Sequence, residues 1–155
     1  MGSEAHTELE LTESTGLIPR FMKDLFKQLS ATDNLETSFL EVYGEDVHDL
    51  LDPSRASLPL REDSSGGVIC TGLTTRRVTS AEQAVKVLHK GTLKRTTAAT
   101  LMNLTSSRSH AIFTVTLTRQ HSGVTSKLTF VDLAGSERMK KTGAYGVKST
   151  RVYSR

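Results

Sequence analysis

The sequence predicts one mixed α/β domain, and three observations predict it. "LIPRFMKDLFKQLS" sets Leu17, Phe21, Leu25 and Leu29 every four residues with Phe26 beside them, which is the period of a helix. "HAIFTVTLTR" places Ala111, Phe113, Val115 and Leu117 against Thr114, Thr116 and Thr118, the alternation of a strand with one buried face. "KLTFVD" follows across the Gly-containing turn "QHSGVTS", so these two strands form a hairpin. At 155 residues the chain suits one domain. Its 36% hydrophobic content, with 5% aromatic and no tryptophan, supplies a modest core.

The remaining elements follow along the chain. Residues 1–16 are polar and read as loop, carrying Glu4, Glu8, Glu10 and Glu13 with no Lys or Arg before Arg20. In the helix that follows, Pro19 suits the first turn, where its missing N–H costs nothing. "TSFLEVY", Thr37 to Tyr43, is a strand, and "GEDVHDLLDP" is a short turn or helix stopped by Pro53. "LPLREDSSGGVICTGLTTRRVT" has short apolar pieces broken at Ser64–Gly67 and Gly72, the pattern of small strands joined by an exposed loop. A stronger helix begins at Ser80. Ser80 and Gln83 have the capping-box spacing, and Ala84, Val85, Val87 and Leu88 carry its buried face. Past Gly91 it continues through "TTAATLMN" into a polar loop.

Composition narrows the class. No run of about eighteen apolar residues offers a transmembrane helix, and no basic segment leads into an apolar one as in a signal peptide. The single Cys70 has no internal partner for a disulfide, so the chain reads as cytosolic or nuclear. Net charge is +3 but unevenly spread. After Glu137 come Arg138, Lys140, Lys141, Lys148, Arg151 and Arg155 with no acid among them. That tail is either a solvated terminus or a contact for an acidic partner. Its only aromatics are Tyr145 and Tyr153, too sparse for a stacking platform, so nucleic acid is not supported as the partner.

Two polar loops carry the chemistry. In "TFVDLAGSE" an apolar strand delivers Asp132 to its C-terminal edge, where ligands gather in open α/β sheets. An aspartate there can hold Mg²⁺ through water, and Gly135 lets the backbone approach a phosphate. In "NLTSSRSH", Ser106, Ser107 and Ser109 offer oxygens for a metal, its waters or a phosphate, and Asn103 adds an amide. Arg108 keeps its charge at working pH, and its planar fork fits the carboxylate of Glu137. Each loop alone is equally an ordinary polar turn. Together, each beside a strand of one hairpin, they point to a nucleotide switch.

At these strings the chain resembles the kinesin motor domain. "NLTSSRSH" and "DLAGSE" are similar to its switch I and switch II signatures, and "GLIPR", "FLEVYGEDVHDLLDP", "RTTAATLMN" and "HAIFTVTL" agree in order. The resemblance covers residues 1–147 as a central part of the motor, with a chromokinesin-like flavour. Residues 148–155 form a divergent basic tail. It implies a partial kinesin-type P-loop NTPase fold, a mixed sheet with flanking helices. It implies ATP and Mg²⁺ as ligands, with Ser106 and Ser107 holding the Mg²⁺ shell and positioning the attacking water. Asp132 would reach Mg²⁺ through water, Asn103 and Gly135 would join the nucleotide site, and an Arg108–Glu137 latch would close it for hydrolysis. The partner implied is the microtubule, met by Arg76, Arg77, Lys140 and Lys141. The parent protein implied is a homodimer with a coiled coil, cytoplasmic and on microtubules, the spindle included, with no membrane partner.

One family part has no match. No G-x-x-x-x-G-K-[ST] string occurs, and in "GAYGVKST" Val147 separates Gly146 from Lys148. In the family a Met-Gly follows shortly after that loop, so the resemblance implies that Met1-Gly2 lies just past it. It also implies that "VKSTRVYSR" departs where the long track-binding relay helix would run. The expectation is therefore a chain that by itself neither hydrolyses ATP nor moves, with an unpaired apolar edge beside "KLTFVD". Two further readings stay open at this point. One is a non-motor microtubule-binding module. The other is a small GTPase, which the lack of an N-K-x-D string disfavours.

Overall fold

The computed structural model describes residues 12, 15–52, 54, 56–64, 66–101, 108–135 and 151–154. Helix α1 (Leu17–Gln28) is followed by strands β1 (Asn34–Tyr43), β2 (Asp46–Asp49), β3 (Leu60–Glu62), β4 (Val68–Cys70) and β5 (Thr75–Arg77). Helix α2 (Ala81–Leu101), the hairpin β6 (Ser109–Thr118) and β7 (Thr125–Asp132), and strand β8 (Arg151–Ser154) complete it. The main sheet runs β2-β1-β6-β7-β8, and β5 also pairs with β1. This is the expected α/β class.

β1 shows how one strand serves three neighbours. On one side β6 runs antiparallel to it from Asn34 opposite Thr118 to Tyr43 opposite Ser109. Its remaining pairing is shared: β5 takes Glu36–Ser38 and β2 takes Leu40–Tyr43. Between these, the Leu50 N–H donates to the Phe39 carbonyl at 3.0 Å. The segment expected as a turn or short helix after Gly44 is therefore a strand. Gly44 (φ +61) makes the tight return that lets Asp46–Asp49 pair back on β1. Buried Asp49 then ends it. Its Oδ1 accepts from the N–H groups of Leu51 and Asp52, and its Oδ2 from that of Thr74 at 2.8 Å.

Both helices contribute to one core on one sheet face. Leu35, Phe39, Ala111, Phe113, Val115 and Phe130 face Met22 of α1 and Ala81 and Ala84 of α2. Phe39 meets Phe113 edge-on, with centroids 5.5 Å apart, and Phe21 meets Phe130 at 5.4 Å. At Gly91 the helix backbone lies close against the sheet, because a Cβ there would clash with the ring of Phe39. That requirement explains a glycine inside a helix, where it otherwise costs about 1 kcal/mol.

The α2 start follows the expected cap with one difference. The Gln83 N–H donates to Ser80 Oγ at 3.2 Å, but the Gln83 side chain reaches back to Thr79 rather than Ser80. β3 and β4 form the expected small ribbon, apart from the main sheet and exposed at Leu60, Val68 and Ile69. The expectation of an unpaired edge is corrected. β8 lies antiparallel on β7, covering Leu128–Val131. Part of the basic tail is thus a strand.

Candidate functional site

The register of three strands builds the site. Glu41 on β1, Ala111 on β6 and Asp132 on β7 lie side by side, so their side chains share the helix-covered face. Two strand spacings separate the carboxylates, roughly 10 Å. Between them Ala111 presents only a methyl group, which leaves room for a long side chain to lie across. Arg95, from the C-terminal half of α2, fills that room. Its Nη1 donates to Asp132 Oδ2 at 2.7 Å and its Nε to Glu41 Oε1 at 3.3 Å. Its Nη2 donates to the Ser109 carbonyl at 2.9 Å and to Ser109 Oγ at 3.3 Å. Ser109 Oγ in turn donates to Glu41 Oε1 at 2.5 Å.

Burial sets the energetics of this knot. The side chains of Glu41 and Arg95 are 7% and 12% exposed, while that of Asp132 is 34% exposed. Glu41 and Arg95 each need the other, since a buried charge without a partner is very costly. Asp132 stands at the rim. Its Oδ2 is held by Arg95, and its Oδ1 has no hydrogen bond among the described residues. A half-buried carboxylate with one oxygen not taken by a described residue fits Mg²⁺, which keeps several waters and takes one or two carboxylates. Among the described residues there is no cluster of three metal-ligating side chains. A fully protein-built cage is therefore not formed by them.

The opposite side of the sheet supplies a second tie. His110 points away from the helices, and its Nδ1 accepts from the Ala134 N–H at 3.1 Å. This assigns the ring proton to Nε2. The β6–β7 ladder ends at Ala111 opposite Asp132, so the imidazole satisfies an amide that the ladder no longer reaches. The start of β6 and the end of β7 are thus joined twice, through Arg95 on one face and His110 on the other.

Of the expected site residues, Asp132 and Gly135 stand together at the end of β7, and Arg108 is an exposed turn residue just before β6. Asn103, Ser106, Ser107, Glu137, Lys140 and Lys141 lie outside the described residues, and so does the expected Arg108–Glu137 latch. Arg76 and Arg77 are exposed on β5, at the far end of β1 from Asp132. Sequence reasoning missed Glu41 and Arg95. A signal existed: in "SFLEVY" the strand alternation puts Glu41 on the same face as Phe39, and an inward carboxylate demands a cation.

Comparisons with known proteins bear on the family and the fold. The kinesin motor domain family model matches residues 2–152. The chain is 44% identical over 157 residues to the chromosome-associated kinesin KIF4A of Homo sapiens, covering 94% of this chain and 13% of that protein. It is 45% identical over 150 residues to the kinesin-like protein KIF13A of Homo sapiens, covering 86% of this chain and 8% of that protein. A solved fast kinesin superposes with a TM-score of 0.70 at 39% identity, over 85% of this chain and 40% of the other. The chain therefore spans a minor part of the length of these relatives.

Proposed function

Because the chain belongs to the kinesin motor-domain family, we propose that it is the nucleotide-sensing and track-contacting part of a microtubule motor driven by ATP hydrolysis. The observation that carries this reading is the double tie between the start of β6 and the end of β7. Asp132 and the segment leading to Gly135 are fixed against the start of β6, the strand that follows the Asn103–Arg108 stretch in sequence. Two loops held in that way can respond together to one phosphate.

Asp132, through Oδ1 and a water, and Ser107 would hold Mg²⁺, which when bound neutralises charge on the β- and γ-phosphates. Asn103 and Ser106 would face the nucleotide, and Ser106 and Ser107 would orient the attacking water. The Gly135 N–H would meet the γ-phosphate, and Arg108 with Glu137 would latch the loops. Arg95 keeps Asp132 from swinging, so that its free oxygen faces one direction. The exposed arginines of β5, and the exposed Leu60, Val68 and Ile69 of the ribbon that precedes it in the chain, suit an acidic protein surface with apolar spots. We assign that surface to tubulin, with Lys140 and Lys141 as further contacts. One of the named relatives is a chromosome-associated kinesin, and a dimeric parent acting on spindle microtubules fits that setting.

Co-sedimentation of the purified chain with stabilised microtubules tests this reading. Binding that weakens steeply between low and moderate salt, and falls at least about threefold in Arg76→Glu/Arg77→Glu, is expected for exposed ion pairs. Binding indifferent to both changes would remove β5 from the track surface. Because the nucleotide site has no P-loop string among its residues, no microtubule-stimulated ATP hydrolysis is expected from this chain by itself. Turnover well above background would overturn that part.

A further inference from the structure

We infer that His110 is a positioning residue for the Asp132–Gly135 turn: its imidazole Nδ1, by capturing the Ala134 N–H, sets the backbone that presents Gly135. The inference rests on the reading of that turn as a phosphate sensor, and it names the side chain that holds the sensor in its starting position. The Ala134 N–H belongs to the peptide plane between Leu133 and Ala134. The Gly135 N–H belongs to the next plane, one φ/ψ pair further on. Fixing the first plane leaves a single pair of torsions between it and the group that would meet a phosphate.

Three observations make His110 the anchor. The regular ladder stops at Asp132, so among the described residues that follow, 133–135, no strand pairing fixes the chain. The 3.1 Å contact from Ala134 N to Nδ1 is the hydrogen bond that holds Ala134 after that point. The histidine itself cannot drift, because Ser109 and Ala111 on either side are buried and paired with Tyr43 and Glu41 of β1. Arg95 acts on the side chain of Asp132 from the helix face, whereas His110 acts on the main chain from the opposite face. Removing the imidazole therefore frees the turn without disturbing the buried pair.

Asparagine and leucine separate positioning from mere structure. In His110→Asn the amide oxygen lies near the place of Nδ1 and accepts the same hydrogen bond, whereas His110→Leu has no acceptor. The experiment is amide hydrogen exchange, followed by NMR on the ¹⁵N-labelled chain, at Ala134 and at Phe113 and Phe130 in the hairpin. Expected is Ala134 exchange about tenfold faster in His110→Leu, the change that one lost hydrogen bond brings. His110→Asn should stay close to the parent chain, and the Phe113 and Phe130 amides should be unchanged in both. His110→Ala gives the same comparison should leucine's bulk lower the Phe113 and Phe130 protection. Equal Ala134 exchange in the parent chain and in both acceptor-free variants would overturn the inference. Adding Mg·ATP to the parent chain separates this from the motor reading. Ala134 protection that depends on His110, with a Gly135 amide unmoved by Mg·ATP, supports the positioning role and shows that this chain by itself does not engage the nucleotide.

Discussion

Replacing Arg95 with methionine removes one guanidinium and leaves most of its bulk, because methionine is long, unbranched and adaptable. What is lost is the counter-charge of Glu41, whose side chain is 7% exposed, together with the donors to the Ser109 carbonyl and to Asp132. Breaking a buried pair by removing one partner costs about 3–5 kcal/mol, most of it the desolvation of the stranded charge. The Asp132 arm adds little, about 0–1 kcal/mol, since that carboxylate is 34% exposed and water can replace the contact. A loss of this size lowers Tm by roughly 6–20 °C in a domain of such length. Urea denaturation followed by circular dichroism reads it directly, as a shift of the midpoint with the slope preserved. The control is Glu41→Gln/Arg95→Met. There the glutamine oxygen still accepts from Ser109 Oγ and no charge is stranded, so the double variant should be more stable than Arg95→Met alone. If Arg95→Met unfolds within about 1 kcal/mol of the parent chain, or if the double variant is no better than the single, the buried-pair account is wrong.

Two further expectations follow from close contacts elsewhere. Gly91→Ala should lower stability despite alanine's better helix propensity of about 1 kcal/mol, because its methyl would clash with the Phe39 ring and overpacking costs about 1–3 kcal/mol. A more stable variant in the same urea assay would mean that the ring swings aside freely. At Cys70, burial first and the nearby Asp49 charge second push the thiol up from its ordinary range. A raised value means that the folded chain holds its proton to higher pH than the unfolded chain does. Iodoacetamide at pH 8 should therefore alkylate the folded protein more slowly than the urea-unfolded protein, with the gap closing as pH rises. Equal rates at pH 8 would contradict that environment.

Periodicity exposed most of the framework. α1, α2 and the β6–β7 hairpin each carry a repeat long enough to identify them, and the Ser80 cap announces where α2 begins. β2 was hidden because "DVHD" is short and polar, and what makes it a strand is non-local: the Gly44 turn and the free stretch of β1 beside it. β8 was hidden for a similar reason, since nothing local in "RVYS" tells which edge it will meet. The site was half legible. Asp132 and Gly135 follow from a strand end and a turn glycine, but the Arg95 bridge depends on register across three strands. One sequence shows that Ala111 is small without showing that its smallness makes a passage between two carboxylates. His110 could be placed at a strand start and given a hydrogen bond, but its partner in the other loop appears only in three dimensions.

The outer edge of β7 is guarded in two ways along its length. Where its residues are mainly apolar, from Leu128 to Val131, β8 occupies the backbone groups. Where β8 does not reach, Thr125, Ser126 and Lys127 present hydroxyls and a positive charge, and a lysine on an open edge disfavours the approach of another strand. Resistance to aggregation is thus divided between a borrowed strand and an electrostatic guard. The borrowed part is held by only four residue pairs. Changes within residues 151–154 would therefore act on the solubility of the chain before they touched its core or its site.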